Sequence, residues 1–194
     1  MIDVKKKPIL EIKNLNKKFG DNQVLNGFNL ELFEGENLVV MGKSGSGKSV
    51  MIKCLVGLIE PDSGSIKVMG KELTNLNQSQ FDALRTEIGF LFQGSALYDS
   101  MTVRENLEFP LRTYKEKLTN KYTLVNEALE SVGLAHAIDL MPEELSGGMK
   151  RRVALARAII MCPKIVIFDE PTTGLDPITA KEIIELMKDI QKKY

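Results

Sequence analysis

The residues with the clearest chemistry are Gly42-Lys43-Ser44-Gly45-Ser46-Gly47-Lys48-Ser49. They fit the pattern Gly, four residues, Gly, Lys, Ser/Thr, a loop that cradles phosphate. Gly42, Gly45 and Gly47 can turn successive N–H groups inward, and they carry no side chain to keep a phosphate at a distance. Lys48 supplies a point charge for the outer phosphates, and Ser49 a hydroxyl for Mg²⁺. The run from Val50 to Ile59 reads as a helix whose N-terminus faces the anion. Asn37-Leu38-Val39-Val40-Met41 reads as a short strand leading into the loop. A flexible Gly/Ser turn is the competing reading, and the strand–loop–helix order weighs against it.

A second chemical group lies far downstream. Ile165-Val166-Ile167-Phe168 is a continuous apolar run, suited to a central parallel strand buried on both faces. Asp169 follows it, at the strand edge where ligands of parallel sheets bind. A carboxylate there can hold Mg²⁺ through water, and Glu170, next in line, can orient or deprotonate an attacking water. The plain alternative for such a pair is a helix start or a solvated loop.

Leu145-Ser146-Gly147-Gly148-Met149 is the third group. Ser146 is a good N-cap for a helix running to Met161. An N-cap does not need two glycines after it, whereas a phosphate approaching closely does. The chain therefore has two helix starts suited to an anion, at Gly47 and at Ser146. One nucleotide does not obviously need both from the same chain; two chains facing head to tail would use both.

The elements that must position these groups are legible in outline. Ile9–Leu15 and Val24–Leu32 read as strands, with Lys17–Asn22 turn-like between them, and Ser65–Gly70 as another after the turn Pro61–Gly64. Gln78–Glu87 reads as a helix and Ile88–Phe92 as a buried strand ending at Gln93. From Gly94 the pattern turns helical, with Leu118–Val132 ended by Gly133. Asp176-Pro177 pairs an N-cap with a first-position proline before a helix over Ile178–Lys192. The fold class is α/β: a RecA-like phosphate-loop NTPase core, an N-terminal antiparallel β subdomain and an inserted α-helical subdomain over 94–160.

The 194 residues suffice for one domain with a core, and 43% of them are apolar. Lys plus Arg is 26 and Asp plus Glu is 26, so the chain lacks the basic excess that nucleic-acid binding wants. Nothing in it is long and apolar enough to span a membrane, and the lysine-rich start reads as a solvated tail rather than a leader. Cys54 and Cys162 read as buried small hydrophobes in a reducing compartment. A single histidine, His136, makes a His-based metal site a poor reading.

In their order, Gly42–Ser49, Gln93, Leu145–Met149, Ile165–Glu170 and Gly174-Leu175-Asp176 resemble the ATP-binding subunit of an ABC transporter, over nearly the whole chain. That resemblance implies ATP and Mg²⁺ as cofactors, with Gly42 to Val50 (Lys43, Ser44 and Ser46 included) holding phosphate. It gives Mg²⁺ to Ser49, Gln93 and Asp169, and catalysis to Glu170, Gln93 and Lys48. It implies a homodimer sandwiching two ATP molecules, with Ser146, Gly147 and Gly148 of one subunit facing the nucleotide of the other and Asp176 communicating across. Phe19 stands where the family stacks an aromatic on adenine; a core aromatic is the other reading. An integral membrane permease would be the partner and nucleic acid would not. The subunit would be cytoplasmic, peripheral on the cytoplasmic face of the inner or cell membrane.

A finer likeness rests on Gln93–Val103, Phe109-Pro110-Leu111-Arg112, Leu145–Arg152 and Asp176–Thr179. These are similar to the Mla/Mce-type phospholipid-trafficking ATPases, which would add lipid cargo and a lipid-binding accessory protein. Another cargo, an amino acid, a lipoprotein or other solute, is the alternative. Non-transport members of the superfamily fit less well, because the distance from Lys48 to Asp169 leaves no room for a long coiled coil and there is one cassette. The family also has a switch histidine after the second carboxylate pair. His136 lies on the wrong side to serve, so residues 1–194 read as one nucleotide-binding domain truncated at its C-terminus, whose activity alone is in doubt.

Overall fold

The computed structural model of the chain describes residues 7–43, 45–112 and 121–193. It divides into two compact units, 1–85 and 86–194. The lysine-rich start up to residue 6, Ser44 of the phosphate loop and the first residues of the helix expected from Leu118 lie outside the described residues.

The first unit is built on an antiparallel sheet. Strand β1 (Leu10–Phe19) pairs with β2 (Asn22–Leu32) on one side and β3 (Ser63–Val68) on the other, and β3 turns into β4 (Lys71–Glu72). The segment read as a turn contributes Lys17–Phe19 to β1 and Asn22 to β2, leaving only Gly20 and Asp21 between them. Strict alternation would bury Leu10 and Ile12 but expose Leu15. Register shifts between Ile12 and Leu15, around Asn14 at φ 48°, reset the phase, so that Ile12 and Leu15 are both fully buried. Gly64 makes this bulge possible: a Cβ there would stand 2.6 Å from the Asn14 carbonyl oxygen.

Helix α1 (Lys48–Leu55) buries Met51, Ile52, Cys54 and Leu55 and is shorter than the expected run to Ile59. Gly57, at φ 67°, ends it: its N–H donates to the Cys54 carbonyl and the Leu58 N–H to the Lys53 carbonyl, the Schellman pattern. Helix α2 (Gln78–Arg85) lays Phe81 against Gly57, where a Cβ would be 2.2 Å from the ring.

Asn37–Met41 is not a strand. Val39 and Met41 are 77% and 88% exposed, and no described strand pairs with the segment. An apolar run becomes a strand only where a ladder partner satisfies its backbone.

In the second unit, β5 (Ile88–Leu91) and β6 (Ile165–Phe168) pair in parallel, Ile88 with Ile165 through Leu91 with Phe168. Beyond Ile165, β6 is half-buried rather than covered on both faces, since β5 is its only described neighbour. Helices α3 (Val103–Leu111), α4 (Lys121–Ser131), α5 (Gly147–Ile159) and α6 (Pro177–Lys193) share one apolar core with these strands. Thr102 and Glu105 form a reciprocal capping box at the start of α3. Cys162 is exposed, unlike buried Cys54; it sits at φ 50° in the turn after α5.

Close packing of α5 on β5 depends on Gly89, where a Cβ would come 2.2 Å from the Ala158 carbonyl oxygen. Gly89→Ala should therefore destabilise the protein by about 1–3 kcal/mol. Gly94→Ala, with nothing within 4 Å of the added carbon, should stay within about 0.5 kcal/mol of wild type. Denaturant midpoints of the two variants check this; equal midpoints would contradict it.

Candidate functional site

The predicted site residues fall into two clusters, one in each unit. In the first, the phosphate loop enters α1 through Gly47, the N-cap residue, at φ 92°, with Gly45 at φ 78° before it. These left-handed angles are accessible to glycine at little cost. Gly47 is also needed by the fold, since a Cβ would stand 2.8 Å from the Val24 carbonyl oxygen. A Cβ at Gly42 would meet the Ser46 hydroxyl at 2.5 Å, so a side chain there would make that hydroxyl turn away. The Lys48 ammonium curls over the loop and donates to the carbonyls of Gly42 at 2.7 Å and Lys43 at 3.1 Å. No side chain caps this helix start, and Ser49 and Val50 lie in its first turn. Phe19, at the end of β1, is 47% exposed with the Lys17 ammonium 5.5 Å from its ring centre. It is a surface aromatic, not a core one.

In the second unit, the parallel ladder delivers the carboxylates. The Asp169 N–H continues it by donating to the Leu91 carbonyl at 3.0 Å. Glu170 then takes φ 48°, a conformation costly for a residue with a Cβ. One of its carboxylate oxygens, Oε2, accepts from Gln93 Nε2 and from the Thr173 hydroxyl, each at 3.0 Å. Gln93 and Glu170, 77 positions apart in the chain, thus meet through side chains.

Ser146 caps α5, its hydroxyl accepting from the Met149 N–H at 3.2 Å. The two glycines after it have different reasons. A Cβ at Gly148 would lie 2.8 Å from Thr179 Cγ2, so this glycine is required by packing against α6. A Cβ at Gly147 would meet only Leu175 at 3.8 Å, an ordinary contact, so the fold leaves room for a side chain that the sequence withholds. Asp176 caps α6: Oδ1 accepts from the N–H groups of Ile178 and Thr179, each at 3.0 Å. Hydrogen bonds from the Thr179 side chain and main chain, with Ile178, hold the Asp176 carboxyl below its ordinary value.

Three residues here were not foreseen. Thr173 holds Glu170, Arg151 holds the carbonyls of Phe92, Gln93 and Thr173, and Asn106 is fully buried under the segment after Gln93. Asn106 donates to the carbonyls of Tyr98, Met101 and Thr102 and accepts from the Tyr98 N–H. This fixes a loop that presents Tyr98, its ring 4.6 Å from Phe109. For Arg151 a signal existed: it lies three, four, seven and eight residues before Ala154, Leu155, Ala158 and Ile159, on the buried stripe of α5.

The donor set suits a nucleotide with Mg²⁺. Ser49 in the first unit, and Gln93 and Asp169 in the second, each offer a hard oxygen of the kind Mg²⁺ takes, and Mg²⁺ is commonly held by few protein groups with substrate phosphates and water completing its shell. Among the described residues no cluster of three His, Cys, Asp or Glu side chains forms a cage for a metal by itself.

The family model described as ABC transporter matches residues 25–173. The chain belongs to the ABC transporter family. It is 43% identical over 185 residues to the methionine import ATP-binding protein MetN of Clostridium tetani, covering 95% of this chain and 58% of that one. It is 40% identical over 182 residues to a probable ribonucleotide transport ATP-binding protein, mkl, of Mycobacterium leprae, covering 93% and 52%. Among solved structures, the ATP-binding cassette MJ0796, a dimer in a post-hydrolysis state bound to ADP and Pi, superposes with a TM-score of 0.84 at 32% identity, covering 95% and 83%. The ABC ATPase fold is thereby established. The chain spans roughly half the length of the curated relatives it matches.

Gly147→Ala should leave thermal stability unchanged or slightly higher, since alanine favours a helix by up to about 1 kcal/mol over glycine. In the full-length subunit it should nonetheless lower ATP turnover at least about tenfold by blocking close approach of a phosphate. Gly148→Ala should lower both. Normal turnover in Gly147→Ala would remove the phosphate-facing role of this glycine.

Proposed function

We propose that this chain is the nucleotide-binding domain of an ABC transport ATPase, which binds ATP with Mg²⁺ and hydrolyses it to drive a membrane permease. The observation that carries this is Glu170: a carboxylate at the exit of a parallel strand, held in a left-handed conformation and hydrogen-bonded by Gln93. In this reading the loop 42–50 and Lys48 bind and orient the phosphates, Phe19 stacks on the base, and Asp169, Ser49 and Gln93 hold Mg²⁺. When bound, Mg²⁺ would supply neutralising charge for the phosphates. Glu170 accepts the proton of the attacking water, and the hydrogen bonds from Gln93 and Thr173 aim its carboxylate. Residues 94–160 serve as the helical subdomain.

Two copies head to tail would complete each pocket, Ser146 and Gly147 of one facing the nucleotide of the other. The dimeric state of MJ0796 supports this. An integral permease is the expected partner, which places the subunit on the cytoplasmic face of its membrane. No described helix is long and apolar enough to cross a membrane itself.

For cargo, the relatives favour an amino acid such as methionine over phospholipid, since the MetN relative shares 43% identity over nearly the whole chain. The likeness of residues 93–103 and 109–112 to lipid-trafficking ATPases keeps lipid as the second reading. Reconstitution of the full-length subunit with its permease in vesicles separates them: ATP-dependent methionine uptake supports the first, and movement of a labelled phospholipid the second.

Glu170→Gln in the full-length subunit should retain ATP binding and lower kcat about 100-fold or more. Lys48→Ala should weaken ATP binding at least about tenfold, as loss of one charge-assisted hydrogen bond would. Wild-type turnover in the first, or unchanged affinity in a titration of the second, would contradict these roles.

A further inference from the structure

We propose that Arg151 is the positioning residue for the hydrolytic carboxylate: it binds the main chain of both residues that hydrogen-bond Glu170, and so aims Glu170 without touching it. The inference rests on the reading of Glu170 as the group that activates water.

The contacts close a ring. Arg151 Nη1 donates to the Phe92 carbonyl at 2.8 Å, and Nη2 donates to the carbonyls of Gln93 at 2.6 Å and Thr173 at 3.3 Å. Gln93 and Thr173 then each donate from their side chains to Glu170 Oε2. One guanidinium thus fixes the exit of β5, where Gln93 sits, against the turn after β6, where Thr173 sits. The Thr173 N–H returns to the Glu170 carbonyl at 3.2 Å, so the same clamp closes the turn that keeps Glu170 left-handed.

The residue type is informative. Arg151 is 4% exposed and makes no ion pair among the described residues; the groups it donates to are the carbonyls of Phe92, Gln93 and Thr173. Leaving a charge buried with dipoles alone is costly, and an apolar residue on this stripe of α5 would serve packing better. Burial also draws the Arg151 guanidinium below the ordinary arginine value. Only a planar fork reaches three carbonyls on two segments at once; a lysine ammonium on a flexible stem has no such fixed span.

The other arginines of α5 are employed differently. Arg152 pairs with Glu182 at 2.8 Å, and Arg157 donates to the Ser95 carbonyl at 2.9 Å. The hydrogen bonds of these two go to Val132, Glu182, Asn106 and Ser95 rather than to Glu170 or Thr173, so Arg152 offers a control on the same helix.

The test uses the full-length subunit assembled with its permease, with turnover counted per nucleotide site titrated by a fluorescent ATP analogue. Arg151→Lys and Arg151→Met should each lower kcat about tenfold to a hundredfold, the scale of a small misplacement of a reacting group. KM for ATP and the number of titrated sites should stay within about twofold. Thr173→Val should also lower kcat, and the Arg151→Met/Thr173→Val double variant should be no slower than Arg151→Met, because the two act through one ring. Arg152→Met should keep kcat within about threefold of wild type. Should Arg151→Met not accumulate folded, Arg151→Gln takes its place with the same expectation. Wild-type kcat in Arg151→Lys, or effects of Arg151→Met and Thr173→Val that multiply, would overturn the clamp while leaving a dead Glu170→Gln variant and its reading intact. A Glu170→Gln variant that turns over normally would instead remove the carboxylate's role and the clamp's purpose with it.

Discussion

Helix α5 can lie on β5 only because Gly89 has no side chain under the Ala158 carbonyl. From that close approach follows the placement of the second unit's site residues. The helix carries Ser146 and Gly147 at its start, and Arg151 one turn further in reaches the carbonyls of Phe92 and Gln93 where β5 ends. The parallel pairing of β5 with β6 sets Asp169 and Glu170 beside the same strand end. A helix, a strand exit and a strand-to-turn junction are thereby fixed to one another by backbone contacts as much as by side chains. A glycine chosen for packing and an arginine chosen for its fork do work that a larger apolar core could not do, because a core cannot specify the direction of one carboxylate.

The same economy recurs in the first unit. Gly64 admits the bulge that lets β1 bury both Ile12 and Leu15. Gly57 ends α1 and receives Phe81. Gly47 serves the phosphate loop by its angle and the sheet by its closeness to Val24. The contrast is Gly147, for which packing gives no reason, and the explanation for it passes to what approaches α5 from outside.

Much of this was legible in the residues. The phosphate loop, the strand leading into Asp169 and the capped helix starts at Ser146 and Asp176 follow from local rules of spacing, capping and glycine geometry. What escaped was whatever depends on partners distant in the chain. Asn37–Met41 has strand composition but no described ladder partner. The parity shift at Asn14 cannot be seen without Gly64 beneath it. Cys162 reads as apolar by its neighbours yet sits exposed in a turn. Arg151 and Thr173 carry no motif of their own; their roles appear only when β5 and β6 lie side by side. Cargo escaped for a different reason: relatives at 43% and 40% identity bear the names of different cargoes.

The central physical proposal is that the two anion-ready helix starts of one chain serve different pockets. Mixing two inactive full-length variants tests it directly. Lys48→Ala spoils the phosphate loop and Ser146→Arg spoils the start of α5. Combined in equal amounts with the permease, they should regain ATP turnover of roughly a quarter of wild type, because half of the random dimers then hold one pocket made of two intact halves. A mixture no more active than the separate variants would show that each pocket is built within a single chain.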